Sequence, residues 1–352
     1  MLKTFKIGGV HPPENKLSAQ GEIITLPLPE QVTIPLSQHI GAPAVPTVKK
    51  GDQVKVGQII GQAAGFISAN IHSSVSGTVM SLDPVIDASG YPRPAVTIKV
   101  EGDEWDENIL KDPINKQPGT FTKEEILAAI SAAGIVGMGG AGFPTKVKLS
   151  PKEPDKIDYI IANCAECEPY ITADYRQILE HGEELVEGMK IILRLFDNAK
   201  GLFGVEDNKP DCIEKLKELT KDEPRMEVLK LQTKYPQGGE RQLIYATTGR
   251  AINSSMLPAD AGCVVDNVAT ISAIYRAVAK GEPSMDRIVT VSGDAVHEPG
   301  NFKVPYGMNQ AELIEGAGGY KVDPEKIISG GPMMGFSMFT VDVPVTKTSS
   351  SI

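Results

Sequence analysis

From Asp158 to Gly281 the sequence alternates short apolar runs with longer amphipathic ones, and that rhythm leaves few architectures open. "DYIIAN", "GLFGVE", "MEVLKLQ" and "GCVVD" read as strands, while "EELVEGMKIILRLFDNA", "CIEKLKELTKD", "GERQLIYATTG" and "NVATISAIYRAVAKG" carry apolar residues at helical spacing. Strands separated by helices of this kind form a mostly parallel sheet with helices packed over it. Ligands of such sheets bind beyond the carboxyl ends of the strands. Three segments at those ends are chemically loaded: "NCAECEPY" from Asn163, "YPQGGE" from Tyr235 and "DNVAT" from Asp266.

The flanks differ in character. The first part, residues 1–118, is rich in Val, Ile, Pro and Gly in short alternating runs and reads as small strands and turns. Within it, "VKKGDQVKVGQIIGQAAGFISANIHSSVSGTVMSL" resembles the barrel-sandwich (hammerhead) module of biotinyl and lipoyl domains. Those carriers display a modified lysine in the turn between the two halves. Here that turn reads "GFISANIHS", without lysine, so the module is expected to be structural or a docking surface, and His72 to be a hydrogen-bonded structural residue. The α/β region, 119–282, opens on "TKEEILAAISAAG", with Thr122 and Glu125 in capping-box spacing and Gly134 as the expected stop. Residues 283–345 return to short strands around one helix and read as a small β-grasp module.

Between the first helix and the first strand of the α/β region lies "GMGGAGFPTKVK", residues 137–148. So much glycine lets backbone amides approach a ligand closely, at an entropic cost that an ordinary turn has no reason to bear. The loop is neither of the common phosphate binders. A dinucleotide fingerprint leaves a strand and opens a helix, whereas this run follows a helix, and the Gly-Lys-Ser/Thr of a Walker loop is absent. It does supply a nest of N–H donors, an aromatic ring in Phe143, and Lys146 and Lys148 for charge. Those are parts of a flavin nucleotide or dinucleotide site.

"GMGGAGFPTKVK", "NCAECEP", "YPQGGERQL" and "VVDNVAT", in that order, resemble the flavin-binding subunit of respiratory complex I and, more closely, the C subunit of Rnf ion-translocating electron-transport complexes. "GDAVHEPGNF", "GGPMMG" and the N-terminal hammerhead point to the Rnf subunit, and the resemblance covers nearly all of the chain. It implies a parallel-sheet FMN/NADH-binding α/β domain between an N-terminal barrel-sandwich hybrid and a C-terminal SLBB-like β-grasp. By the same resemblance, Gly137, Gly139, Gly140 and Gly142 offer backbone to the cofactors, Phe143 stacks on a nicotinamide or adenine ring, and Lys148 reaches a phosphate. Asn163 and Glu166 face the isoalloxazine or ribityl of FMN, Tyr235 and Gly238 line the flavin, Glu168 and Glu240 meet the dinucleotide, and Asn267 and Thr270 hold the phosphate end. The implied chemistry is hydride exchange between NAD(H) and FMN with single electrons passed to clusters, and no side chain need act as acid or base. Two relatives in function remain open at this point: a cobalamin-reducing flavoprotein of the same family, and a scaffold subunit with a vacant flavin site.

Three departures from the family pattern bear on these expectations. Met138 stands where the complex I relatives carry Arg or Lys, and Asp266 where they carry Asn, which brings an extra anion near a phosphate. The two C-x-x-C-x-x-C-x-x-x-C-P runs that hold [4Fe-4S] clusters in the Rnf subunit do not occur here, so clusters are expected only in a further region of a longer protein. Cys164 and Cys167 form a C-x-x-C, but with Cys212 and Cys263 on other elements no metal site is expected. With 352 residues, 41% of them hydrophobic, the chain is long enough for two or three domains. A net charge of −10 argues against a nucleic-acid surface. No apolar run reaches the roughly 18 residues a membrane helix needs. The expected setting is the cytoplasmic face of the cell membrane, held there by the other Rnf subunits.

Overall fold

A computed structural model describes residues 2–109 and 120–352; the expected boundary near residue 118 lies outside them. The chain opens with an extended arm that includes β1 (Ile23–Thr25). A β module follows, made of β2 (Gln31–Pro35), β3 (Val45–Pro46), β4 (Gln53–Val54), β5 (Ile59–Gln62), β6 (Ile71–His72), β7 (Gly77–Ser81), β8 (Val85–Ile86), β9 (Pro92–Arg93) and β10 (Ala95–Val100). Its two main sheets, in the orders β2-β10-β7-β4 and β3-β5-β6, close on a core of Val32, Ile34, Ile60, Ile71, Val79, Val96 and Ile98. His72 is buried at the edge of this core, and burial drives its pKa down to about 3, so it is a neutral structural residue.

The α/β region begins with α1 (Lys123–Ala132), whose Thr122 and Glu125 form the full capping box. The helix is capped by Ala133, and Gly134 follows in the left-handed conformation that ends it. The glycine loop then leads into the single turn α2 (Thr145–Lys148). Next come β11 (Tyr159–Cys164), α3 (Ala173–Leu193), β12 (Lys200–Glu206), α4 (Pro210–Thr220), β13 (Met226–Leu231), α5 (Glu240–Thr248), β14 (Cys263–Asn267) and α6 (Val268–Lys280). Every strand pairing is parallel, in the order β13-β12-β11-β14. Side chains of α1, α3, α4 and α6 share one core with Ile160, Ala162, Phe203 and Val264, while Leu243, Ile244 and Ala246 of α5 pack with Ile161, Leu202 and Val265 in another. The chain thus steps from β11 to β12 and β13 in one direction and returns to the other side of β11 for β14. The crevice where the order reverses lies between β11 and β14, and the residues paired at its lip are Asn163 and Asn267.

The third module contains β15 (Asp286–Val291), β16 (Gly300–Pro305), α7 (Gln310–Gly316), β17 (Ile328–Ser329) and β18 (Phe336–Ser337). Its sheet is completed by the N-terminal arm, because β1 pairs parallel with β16. The arm also bridges Lys3 to Leu231 and Val10 to Tyr235, so the first residues of the chain lie against the α/β sheet as well as the third module.

Candidate functional site

The glycine loop hangs over the crevice because three contacts hold it there. Met138 is buried, and its N–H donates to the Thr270 hydroxyl at 2.9 Å. Gly137 N–H closes the loop on Phe143 O at 2.8 Å. A Cβ on Gly139 would come within 2.7 Å of the Asn267 side chain, so only glycine permits this approach. From Gly139 to Ala141 the loop is open, whereas Gly142, with φ of 71°, is buried beside Gln38, His39 and Thr348. In normal hydrogen-bond geometry, no amide from Gly139 to Gly142 finds an acceptor among the described residues, and a Cβ on Gly140 would meet no protein atom within 4 Å. Asn267 closes the rear wall: its Oδ1 accepts from Ala269 N–H and caps α6, and its Nδ2 donates to Asp174 at 2.6 Å.

Across the crevice, the loop after β11 meets the loop after β13. Asn163 Nδ2 donates to Gly238 O at 2.8 Å, and Gly238 N–H donates to Cys167 Sγ at 3.3 Å. Glu166, in the left-handed region with φ of 47°, turns its carboxylate onto the N–H groups of Asp174 and Tyr175. Burial, opposed by Lys16 and reinforced by Asp174, pushes its pKa up to about 7. The loop is stitched from the arm by Lys16, whose Nζ donates to Glu166 O, Glu168 O and Ile171 O at 2.9, 2.8 and 2.7 Å. Tyr235 is tied to Val10 in a two-way main-chain bridge, and with His11, Glu166, Cys167 and Glu206 it lines a cavity of about 200 Å³ under the arm.

Lys148 supplies the positive charge at the third corner. Its ammonium donates to Val265 O and lies 3.4 Å from Glu240 and 3.5 Å from Asp266. Burial works against that charge, but Asp266 and Glu240 outweigh it and hold the pKa above the usual lysine value. Asp266 answers the question its sequence position raises: it turns toward Lys148. Its buried carboxylate makes no hydrogen bond, and burial raises its pKa while Lys148 resists. Glu240 opens α5 and keeps 43% of its side chain exposed, so it remains available to a ligand.

Several expected contacts take a different form. Lys148 is held by a carbonyl and two carboxylates. Glu168 gives both oxygens to main-chain N–H groups of the third module, Met333 at 3.0 Å and Met334 at 2.9 Å. Thr270 is fully buried, and its hydroxyl serves the loop through Met138. Phe143 is half-buried on the loop's far limb. The cysteines do not converge on a metal: Cys164, Cys212 and Cys263 are buried, and burial pushes the Cys167 thiol up to about 11. Among the described residues no group of three or more His, Cys, Asp or Glu is arranged to hold a metal ion, and no helix is long and apolar enough to cross a membrane.

Sequence reasoning missed the charges beneath the site: Lys16 and Asp174, which are half-buried, and Lys209 and Arg287, which are buried. Lys209 Nζ donates to Ala165 O at 2.7 Å, and Arg287 donates to Met138 O at 2.6 Å. Only Arg287 left a readable signal. It shares the strand phase of Val289 and Val291, which are buried, and a charge at a core-facing position requires a partner.

Residues 130–276 match the family model of the Nuo51 FMN-binding domain, residues 3–103 that of the RnfC barrel sandwich hybrid domain, and residues 288–337 that of the SLBB domain. The C subunit of the proton-translocating ferredoxin:NAD(+) oxidoreductase complex of Clostridium ljungdahlii is 46% identical over all of this chain and 76% of its own length. Its counterpart in the Na(+)-translocating ferredoxin:NAD(+) oxidoreductase complex of Acetobacterium woodii is 44% identical over 99% of the chain and 78% of its own length. The C subunit of the ion-translocating oxidoreductase complex of Rhodobacter capsulatus is 40% identical over the whole chain and 68% of its own length. Among solved structures, an NAD+-reducing [NiFe]-hydrogenase in its H2-reduced state shares the fold, with a TM-score of 0.54 and 22% identity over 68% of this chain and 49% of that one. A barrel-sandwich hybrid, a parallel FMN-type α/β domain and a β-grasp joined in this order, at this identity to the three bacterial proteins, leave one assignment: the chain belongs to the C-subunit family of the Rnf ion-translocating ferredoxin:NAD(+) oxidoreductase complexes.

Proposed function

We propose that this chain is the NADH- and FMN-binding subunit of a membrane-bound Rnf complex, exchanging electrons between NAD(H), FMN and iron–sulfur clusters while partner subunits translocate ions. In this reading it sits on the cytoplasmic face of the membrane, and the [4Fe-4S] clusters belong to a region beyond these residues. Its units are 1–118, 119–282 and 283–345, with the segment through β1 serving as an arm. The observation that carries the reading is the run of amides from Gly139 to Gly142, none of which makes a hydrogen bond of normal geometry to a described residue, beside Asn267 where the strand order reverses.

The residues present fit a flavin nucleotide. Gly139, Gly140 and Gly142 bring donors to the crevice, while Gly137 closes the loop behind them. Asn267 caps α6 and leaves the first turn of that helix as an anion-binding end, with Thr270 holding the loop above it. Asn163, Tyr235 and Gly238 form the wall facing the ring system, and Glu166 sets the turn that presents them. Phe143 offers a ring face for stacking. Lys148 and Glu240 form the dinucleotide end, where a carboxylate accepts a ribose hydroxyl and repels a 2′-phosphate, and Glu168 contributes by anchoring the third module's loop. Bound there, FMN supplies two-electron exchange with a nicotinamide and one-electron exchange with a cluster.

The test is anaerobic reconstitution of the purified chain with FMN, followed by thermal unfolding and absorbance. A ligand that binds only the native state raises the midpoint by mass action. The loaded chain is expected to bleach faster with NADH than with NADPH. No thermal shift at millimolar FMN sinks the flavin reading, and equal bleaching by NADPH removes Glu240 from the dinucleotide end.

A further inference from the structure

The least explained group near the crevice is Arg287, which comes from the third module and is 5% exposed. Its Nε donates to Ser349 O and one Nη to Met138 O at 2.6 Å. The other Nη is buried with no hydrogen-bond partner. Both of its hydrogen bonds therefore go to main-chain carbonyls, and among the described residues no ion pair neutralises it. The carboxylate with the greatest influence on it, Asp174, already accepts from Asn267. Burying an uncompensated guanidinium is expensive. The charge itself calls for a purpose.

The geometry of the peptide supplies one. A trans peptide turns its C=O and N–H in opposite directions. With Met138 C=O pulled down onto Arg287, the N–H of Gly139 in the same peptide unit is turned away from the core, toward the open side of the loop. The preceding peptide is gripped from the same side by Thr270 through Met138 N–H. Flipping the Met138–Gly139 unit would break a charge-assisted hydrogen bond inside the protein, so the amide is preset before any ligand arrives. The cation polarises that donor and adds positive potential in a region of low dielectric.

We propose that Arg287 is a positioning residue for nucleotide binding, holding the Met138–Gly139 peptide so that Gly139 N–H stands ready to donate to a phosphoryl group of the bound nucleotide. This rests on the flavin-nucleotide reading above. It also bears on Met138, which stands where the complex I relatives carry Arg or Lys: here a cation lies beneath the loop and comes from another module.

Fluorescence titration of the wild-type chain, Arg287→Gln and Arg287→Lys with FMN, riboflavin, ADP-ribose and adenosine tests it. Riboflavin and adenosine lack the phosphoryl group, so they report effects on the fold alone. Arg287→Gln is expected to weaken FMN about tenfold and riboflavin less than about twofold, with Arg287→Lys restoring most of the loss. A selective loss for ADP-ribose over adenosine instead assigns the same donor to the dinucleotide. If Arg287 variants do not fold, Thr270→Val frees Met138 N–H with little change in volume, and the same phosphate-selective loss is expected. Equal weakening with and without the phosphoryl group, or no weakening, overturns the inference. A wild-type chain that binds none of the four ligands overturns the flavin reading with it.

Discussion

Two adjacent glycines in the loop have opposite reasons to be glycine. Gly139 is fixed by the protein, since a methyl group there would lie 2.7 Å from Asn267 Cβ; Gly140 has no protein neighbour, so any constraint on it comes from a ligand. Gly139→Ala is therefore expected to destabilise the free chain by about 1–3 kcal/mol, the usual cost of overpacking. Gly140→Val is expected to change stability by less than about 0.5 kcal/mol, as for a surface substitution, yet to abolish flavin uptake. Denaturant unfolding paired with FMN titration separates the two. A Gly140→Val chain that still takes up FMN with wild-type affinity would show that the ligand lies elsewhere. The sequence singles out the glycine loop, but it leaves the two positions equivalent, because the distinction depends on Asn267, more than a hundred residues downstream.

At the scale of elements, the sequence predicted the strand–helix alternation well because each element carries its own periodicity. It misplaced the start of α3. The amphipathic pattern begins near Glu183, but the helix runs from Ala173 and bends at His181 beside Gly182. Thr172 makes no side-chain cap; the carboxylate that satisfies the first N–H groups is Glu166, reached through a loop held by Lys16. Local capping rules cannot find a cap that lies outside the local stretch. The same limitation applies to Glu168. In sequence it is a loop carboxylate beside the crevice, whereas in the fold it grips a hairpin loop of the third module so closely that a Cβ on Gly331 would fall 2.2 Å from its Oε2. Glu168→Ala is expected to free that loop. Amide hydrogen exchange at Met333 and Met334 should accelerate at least about tenfold, as when a local opening loses roughly 1.4 kcal/mol of protection. Unchanged exchange at both amides would mean that the loop is held by something else.

Across the whole molecule, three modules meet at one buried lysine. Lys347 Nζ donates to Asn70 O of the β module at 2.8 Å and to Gly134 O at the end of α1 at 2.7 Å, while its own main chain belongs to the closing segment and its N–H donates to Gln38. No carboxylate balances it among the described residues, and burial lowers its pKa to about 7. In the unfolded chain the amine keeps its proton to about 10.5, so between those values unfolding takes up a proton and the fold gains stability as pH rises. Lowering the pH through the same window withdraws that stability. The stability of wild type relative to Lys347→Met is therefore expected to grow from about pH 7 to about pH 10, measured by denaturant unfolding at each pH. A flat difference would mean that the amine stays charged in the folded protein.

The pairing of β1 with β16 joins two segments that lie far apart in the chain. During synthesis, Ile23–Thr25 leave the ribosome long before Asn301–Lys303 exist, although the Ile23 N–H also has an acceptor in the Glu180 carboxylate of α3. The α/β region can assemble from neighbours in sequence, but the third module cannot close its sheet until that distant segment arrives. Contacts of such long sequence separation are the slow ones to form. Closing this sheet is therefore expected to be among the last steps of folding, whereas Lys16 meets the loop bearing Glu166 across a much shorter separation in sequence.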